Sequence, residues 1–285
     1  MAKVRKLKKR SSITFRVSAY TVCILLAVLS ILPFWVMFVN ATRNTFQIQQ
    51  DALSLIPSVH FFDNLKILLG KTFDPLKGLK NSMIISTAST LCTIYFSALT
   101  AYALVAYNYK MRKPLFTFIM AVMMIPAQVS VIGFYQFMYK IGMTNNFLAL
   151  ILPTIATPAA VFFMRQFMLA SLPLELVEAA RIDGASEFYT FNKIVLPIMK
   201  PAMATQAIFT FVSSWNNLFL PLVLLTNSDK YTMPIMVSLL RGDIYKTEYG
   251  AVYLGLTLTV LPLFIAYFLL SKYIIEGVAL GGVKG

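Results

Sequence analysis

The sequence predicts an all-α integral membrane protein with six transmembrane helices. Three observations predict it: a composition too apolar for a soluble domain, six uncharged runs long enough to cross a bilayer, and positive charge gathered on alternate sides of those runs. Hydrophobic residues make up 58% of the 285, aromatic residues 14% and charged residues 13%, where an ordinary globular domain has about a quarter charged. The uncharged runs are Val17 to Val39, Asn81 to Tyr109, Pro114 to Tyr139, Ile141 to Met164, Pro201 to Ser228 and Tyr249 to Ser271. A hydrocarbon core of about 30 Å needs roughly 20 residues of helix, and each backbone amide within it must be paired internally. Spans are therefore expected near 17–39, 81–109, 114–139, 146–170, 201–228 and 249–271.

In chain order, residues 1–16 form a basic segment and the first span reads as an uncleaved signal anchor. It is too long for a signal-peptide core, and Val39-Asn40-Ala41-Thr42-Arg43 lacks a small-residue cleavage pattern. The interval 40–80 holds an amphipathic stretch, Phe61 to Leu69, that reads as a short interfacial helix. Ser82, Ser86, Thr87, Ser89, Thr90 and Thr93 in the second run suit contacts between helices. Prolines at 33, 126, 153, 158, 221 and 262 should kink or break the spans. Between the fifth and sixth runs, Tyr231 to Leu240 is too short to cross and should lie along the membrane or dip into it. A tail, 273–285, follows the last span.

The net charge of +14 would suit nucleic acid if it formed one patch, but its placement follows the membrane instead. With the N-terminus cytoplasmic, sixteen of the 25 Lys and Arg fall inside: seven at 3–16, Lys110, Arg112 and Lys113, Arg165, Arg181, Lys193 and Lys200, then Lys272 and Lys284. This is the positive-inside asymmetry, and it puts both termini in the cytoplasm. The six runs carry no charged residue, which counts against an ion-coupled carrier. Cys23 and Cys92 lie within apolar runs with no paired spacing, as packing residues. His60 is the only histidine, so neither a metal site nor His-based catalysis is expected. Gly70-Lys71-Thr72 matches only the end of a phosphate-binding loop, since Leu65 stands where its first glycine belongs.

The interval 171–200 falls on the cytoplasmic side and is dense with helix punctuation. Ser171 can cap a helix with Pro173 in its first turn, and Leu174, Val177 and Ala180 share a face. Gly184 can end that helix in the left-handed conformation, and Asp183 can accept an amide at the start of the next. Phe188, Phe191 and Val195 follow at helical spacing, and Pro197 and Pro201 should close the second helix before the fifth span. The apolar faces need cover, either from the inner ends of the spans or from a partner protein.

The residues Glu178-Ala179-Ala180, Asp183-Gly184-Ala185, Ile194 and Pro197 resemble the EAA motif of ABC-importer permeases. The tail from Glu276 to Gly285 and Trp215-Asn216-Asn217 resemble features of the carbohydrate-uptake, MalG-like subgroup. The resemblance implies a bacterial plasma-membrane permease that pairs with a second, homologous permease, two ATP-binding cassette ATPase subunits and an external solute-binding protein. It further implies that 171–200 holds a coupling helix between the fourth and fifth spans, docking the ATPase through Glu178, Ala179, Ala180, Asp183, Gly184, Ala185, Ile194 and Pro197. The resemblance also implies a second contact with the ATPase by the tail, at Gly277, Gly281, Gly282 and Lys284. ATP and magnesium would then be used by the partner subunits, with no cofactor, catalytic residue or metal in this chain. Gln206, Trp215, Asn216 and Asn217 have the chemistry to line a sugar pathway, since aromatic faces and amides commonly hold sugars. An ATP-independent carrier or channel for a small polar solute, and a non-transporting membrane scaffold, are the alternatives.

Overall fold

The computed structural model describes residues 13–70, 74–240 and 247–282, with Ile13, Thr14, Ala127, Ala266 and 269–282 described by backbone alone. The secondary structure of these residues is helical throughout: α1 Ile13–Asn40, α2 Thr45–Gln50, α3 Phe61–Leu69, α4 Pro75–Ala106, α5 Arg112–Met123, α6 Ala127–Lys140 and α7 Leu148–Ile151, then α8 Pro158–Ser171, α9 Leu174–Ile182, α10 Glu187–Thr190, α11 Leu196–Trp215, α12 Phe219–Leu224, α13 Met233–Leu240 and α14 Tyr249–Gly282. Among the described residues, four helical stretches are long and apolar enough to cross a membrane: Phe15–Asn40, Pro75–Ala106, Leu148–Ser171 and Glu187–Trp215. The pair α5 and α6 makes a fifth if counted as one span. A shorter apolar stretch, Tyr249–Ile265, lies within α14.

The third run departs most from the expectation of a single helix, because α5 and α6 meet at a bend of 101°. Pro126 causes it: it has no amide to continue the helix and drives Ile125 away from helical angles, and its own ψ of 124° is extended. The fifth run departs in the opposite sense. Pro197 and Pro201 do not close a helix ahead of it, since α10, a π-helical turn at Phe191–Val195 and α11 run on without a break from Glu187 to Trp215. In that turn the Leu196 amide reaches back five residues to the Phe191 carbonyl, which shifts the hydrogen-bond register just ahead of Pro197.

The described chain forms two compact units. In one, α1 to α3 join the first turns of α14. The Arg43 guanidinium donates to Asn40 Oδ1 at 3.1 Å and to the Gln47 carbonyl at 2.9 Å, and the Asn64 amide donates to the Ala41 and Arg43 carbonyls, each at 2.9 Å. Gly250 sits where any side chain would run into the Arg43 carbonyl and the Asn64 amide. The stretch Phe61 to Leu69 is helical as expected, with Asn64 and Leu68 buried.

In the other unit α4 is the central pillar. Ser82, Ser86, Ser89, Thr90, Thr93 and Ser97 are all buried, their spacing forming one seam of small side chains that lets neighbours approach closely. Thr87 is exposed. Ala98, Ala101, Tyr102 and Val105 continue the seam into a core with Met164 and Met168 of α8 and Met199 and Ala202 of α11. Near the start of α4, Ser82 accepts the Met233 amide at 2.9 Å and the Asn81 amide donates to the Asp229 and Tyr231 carbonyls. Those bonds hold the short α13 against α4. Lys77 Nζ lies 2.7 Å from Asp229 Oδ1, and that hydrogen bond and charge hold the Asp229 carboxyl below the usual range.

One bond shows why a polar seam is useful in lipid. The Thr154 carbonyl would accept the amide of residue 158, but that residue is Pro158 and donates nothing. Thr93 on α4 donates its hydroxyl to this carbonyl at 3.0 Å, and Thr157 donates at 2.7 Å. Replacing Thr93 by Val keeps the shape and removes one of the two donors; it should cost about 1 kcal/mol, read as a lower thermal unfolding midpoint in detergent, whereas Thr93→Ser should stay within a few tenths.

Candidate functional site

The 171–200 segment builds its shape from local hydrogen bonds. Ser171 is not a cap: it ends α8, its hydroxyl donating to the Phe167 carbonyl at 2.7 Å, and α9 starts after Pro173 without a side-chain cap. At the other end of α9, Gly184 has φ +76°. Its amide donates to the Arg181 carbonyl at 3.1 Å and the Ala185 amide to the Ala180 carbonyl at 2.9 Å, the paired bonds of a Schellman motif. Asp183 does not cap the next helix. It is the C-cap of α9, and Ser186 accepts the Tyr189 amide at the start of α10.

The two faces of this element differ. Val177, Phe191 and Val195 are buried in the core with Tyr102 and Met168. Ala180 is also buried, so the paired alanines divide: Ala180 packs inwards and Ala179 is exposed. On the outer side lie Leu176, Ile182 at 86% exposure, Phe188 at 69% and Tyr189. Phe188 thus leaves the face expected for it with Phe191. Glu178, Asp183, Gly184 and Pro197 are exposed and Ala185 and Ile194 half-buried. Among the described residues neither the Glu178 nor the Asp183 carboxylate has a hydrogen-bond or ion-pair partner.

A polar clamp fastens the segment to the end of α4. Arg181 Nε donates to Glu187 Oε1 at 2.6 Å, and Tyr102 donates its hydroxyl to Glu187 Oε2 at 2.8 Å. The Arg181 guanidinium also lies 5.1 Å from the centre of the Tyr107 ring. The hydrogen bond to Glu187 pushes the Arg181 pKa further up. The clamp is absent from the residues expected to act here. Arg181 and Glu187 are opposite charges flanking the Asp183-Gly184 turn, a signal open to reading, but Tyr102 lies 85 residues from its partner and gives no local sign.

Three of the four expected pathway residues, Trp215, Asn216 and Asn217, lie at the C-terminal end of α11, while Gln206 lies in its middle. Trp215 is 1% exposed, donates its indole N–H to the Thr259 carbonyl at 3.0 Å and stacks on Phe211. It is committed to packing and does not line an open path. Asn216 is exposed and lines a cavity of about 650 Å³ with Thr205, Phe209, Ser213 and Tyr267. Asn217 lines a smaller one of about 230 Å³ with Ser89, Thr154, Ser213 and Ser214. Gln206 lines neither and donates to Thr210 at 3.3 Å. Gly277, Gly281 and Gly282 lie within α14, which continues through Gly282; Lys284 falls outside the described residues.

The Arg181–Glu187 pair is partly solvated, so its loss should cost about 1 kcal/mol or less. Glu187→Gln should leave the fold intact and speed amide exchange across 174–190 by up to ~5-fold, while exchange in the middle of α4 stays unchanged.

Comparison with known proteins agrees with the resemblance in the motif. Residues 93–279 match the family described as binding-protein-dependent transport system inner membrane component. The chain is 34% identical to the arabinooligosaccharides transport system permease protein AraQ of Halalkalibacterium halodurans, over 91% of this chain and 93% of that protein. Identity to AraQ of Bacillus subtilis is 31%, covering 95% and 96%, and to the lactose transport system permease protein LacG of Rhizobium radiobacter 32%, covering 93% and 95%. In fold it resembles a chain of a bacterial ABC transporter involved in the import of the acidic polysaccharide alginate, with a TM-score of 0.79 and 21% identity, covering 95% of this chain and 100% of that one. The chain belongs to the family of inner membrane permease components of binding-protein-dependent transport systems.

Proposed function

We propose that this chain forms half of the translocation pathway of an ATP-driven sugar importer, with six spans, both termini in the cytoplasm and the α9 to α10 element seated on an ATPase subunit. The observation that carries this reading is the two-sided character of that element. One face is packed and clamped to α4, while Leu176, Ile182, Phe188 and Tyr189 stand uncovered around the unpaired carboxylates of Glu178 and Asp183. Large apolar side chains ringed by free charges are the makeup of a surface that a partner protein covers. A cleft with an apolar floor and basic rim would suit it, and the glycine turn permits close approach. The other half of the pathway belongs to a second, related permease, with two ATPase subunits below and a solute-binding protein outside. ATP and magnesium are bound by those ATPases.

The relatives carry names for arabino-oligosaccharides, lactose, trehalose and maltose, and also for sn-glycerol-3-phosphate. The cavities at Asn216 and Asn217 combine amide and hydroxyl groups with aromatic and aliphatic side chains, Ile208 and Val212 in one and Ile85 and Leu150 in the other, without a Lys or Arg. A neutral saccharide fits that lining, whereas a phosphorylated solute would call for a cation. Asn216 and Asn217 are therefore the pathway residues of choice, with Trp215 as their structural support and Gln206 outside both cavities.

The docking reading is tested by Ile182→Glu in the assembled transporter. This side chain has little packing to lose, so the variant should insert and fold normally yet bind the ATPase subunits at least ~10-fold more weakly, with uptake falling in step. Normal uptake together with undiminished ATPase association would overturn it. Gly184→Val probes the turn itself: nothing stands within 4 Å of a Cβ there, but the positive φ does not suit a branched residue, so a cost of about 1–2 kcal/mol is expected from the backbone alone.

A further inference from the structure

We propose that the junction of α4, α5 and α8 is a binding site for the headgroup of an anionic phospholipid. A cavity of about 540 Å³ opens there, and Lys110, Arg112, Lys113 and Arg165 all line it. No acidic side chain lines it, and among the described residues none of these four cations forms an ion pair. Arg165 supplies a second, independent observation. Its guanidinium lies 4.0 Å from the centre of the Phe116 ring, Phe116 stacks on Phe162, and its Nε is buried without a hydrogen-bond acceptor. A buried guanidinium N–H without an acceptor is costly, and a phosphate oxygen is its natural complement.

The start of α5 adds to the same potential. Its N-cap, Met111, makes no side-chain capping bond, and its first turn holds Arg112 and Lys113 and no acidic residue. Cations there oppose the helix dipole and are unfavourable unless an anion sits among them. Membrane orientation asks only that cations lie on one side; it does not ask that four of them converge on one cavity. The site goes beyond the transport function and does not depend on it, because it requires only that these helices lie in a bilayer.

The source of the phosphate is argued from what surrounds the cavity. It opens at the end of α4 and the beginning of α5, where a span meets the headgroup layer. Helix α5 has no buried residue, and Leu115 and Phe118 are exposed along it. A glycerophospholipid can place its phosphate among the cations while its acyl chains lie along α5; a soluble phosphate would leave that apolar surface unused. Basic pockets between spans are the usual receptors for such headgroups.

The test is native mass spectrometry of the full-length protein, with whatever subunits copurify, after exchange into detergent carrying equal phosphatidylglycerol and phosphatidylcholine. Retention of phosphatidylglycerol by about fivefold or more over phosphatidylcholine is expected. Arg112→Gln with Arg165→Gln should abolish that preference, and Lys140→Gln, outside the cavity, should keep it. Should the double variant fail to fold, Lys113→Gln alone, at an exposed position, should still weaken the preference severalfold. Equal retention of the two lipids by the unaltered protein, or a preference that survives in the cavity variants, overturns the proposal. So does displacement of phosphatidylglycerol by millimolar inorganic phosphate, which would mark a soluble anion as the occupant.

Discussion

Within a bilayer no water stands ready to satisfy a backbone carbonyl that has lost its donor, so each break in a helix has to be repaired by a neighbour. This chain breaks its spans often, at Pro126, around Pro153 and Pro158, and after Trp215, and the repairs give the second unit its architecture. Thr93 and Thr157 serve the carbonyl orphaned by Pro158. Asn217 accepts the Leu220 amide as α12 begins after the break. Helix α4 can supply such help because its seam is built from Ser, Thr and Ala, small enough for close approach and polar enough to bond when needed. The seam that packs the bundle is thus also what lets the adjacent span bend.

The same pillar carries the clamp. At its C-terminal end Tyr102 meets Glu187, which in turn holds Arg181 at the end of α9, so both arms of the Gly184 turn are fastened to one point. The molecule covers Val177, Ala180, Phe191 and Val195 by its own packing and leaves Leu176, Ile182, Phe188 and Tyr189 exposed. The docking element proposed above needs both. Without the buried face it would fold back or fray, and without the bare one it would have nothing to offer a partner.

Long-period features were legible in the residues and paired contacts were not. The apolar runs located α1, α4 and the apolar start of α14, and Phe61 to Leu69 read correctly as a helix from its amphipathic pattern. Gly184 was legible because a left-handed residue after a helix selects glycine. Asp183 and Ser186 are both able to cap, and only tertiary placement decided between them. The prolines misled in both directions: Pro126 turned a kink into a bend of 101°, while Pro197 follows directly on a π-turn that no residue type announces and Pro201 lies inside α11. Trp215 shows a further limit, since an aromatic beside two asparagines has sugar-binding chemistry, yet its indole is used up by the Thr259 carbonyl. Burial, which composition does not reveal, separates the two roles.

The uninterrupted helix from Glu187 to Trp215 ties these observations together. Its 29 residues span about 43 Å at 1.5 Å each, so one rod joins the clamp at its start to the cavities at its end. On the proposed docking reading, force applied at Ile182 would pass through the Schellman turn to Arg181 and Glu187, and from there either into α4 through Tyr102 or along the rod to Asn216. Were the rod broken at Pro197, as its sequence suggests, the push would dissipate in a hinge next to the clamp. The π-turn prevents that by taking up the proline without ending the helix. The helix does break at Asn216 to Leu218, beside the amides that line the cavities. If the proposed docking and pathway roles hold, a continuous helix from clamp to cavity would turn a displacement at the first into a change of shape at the second.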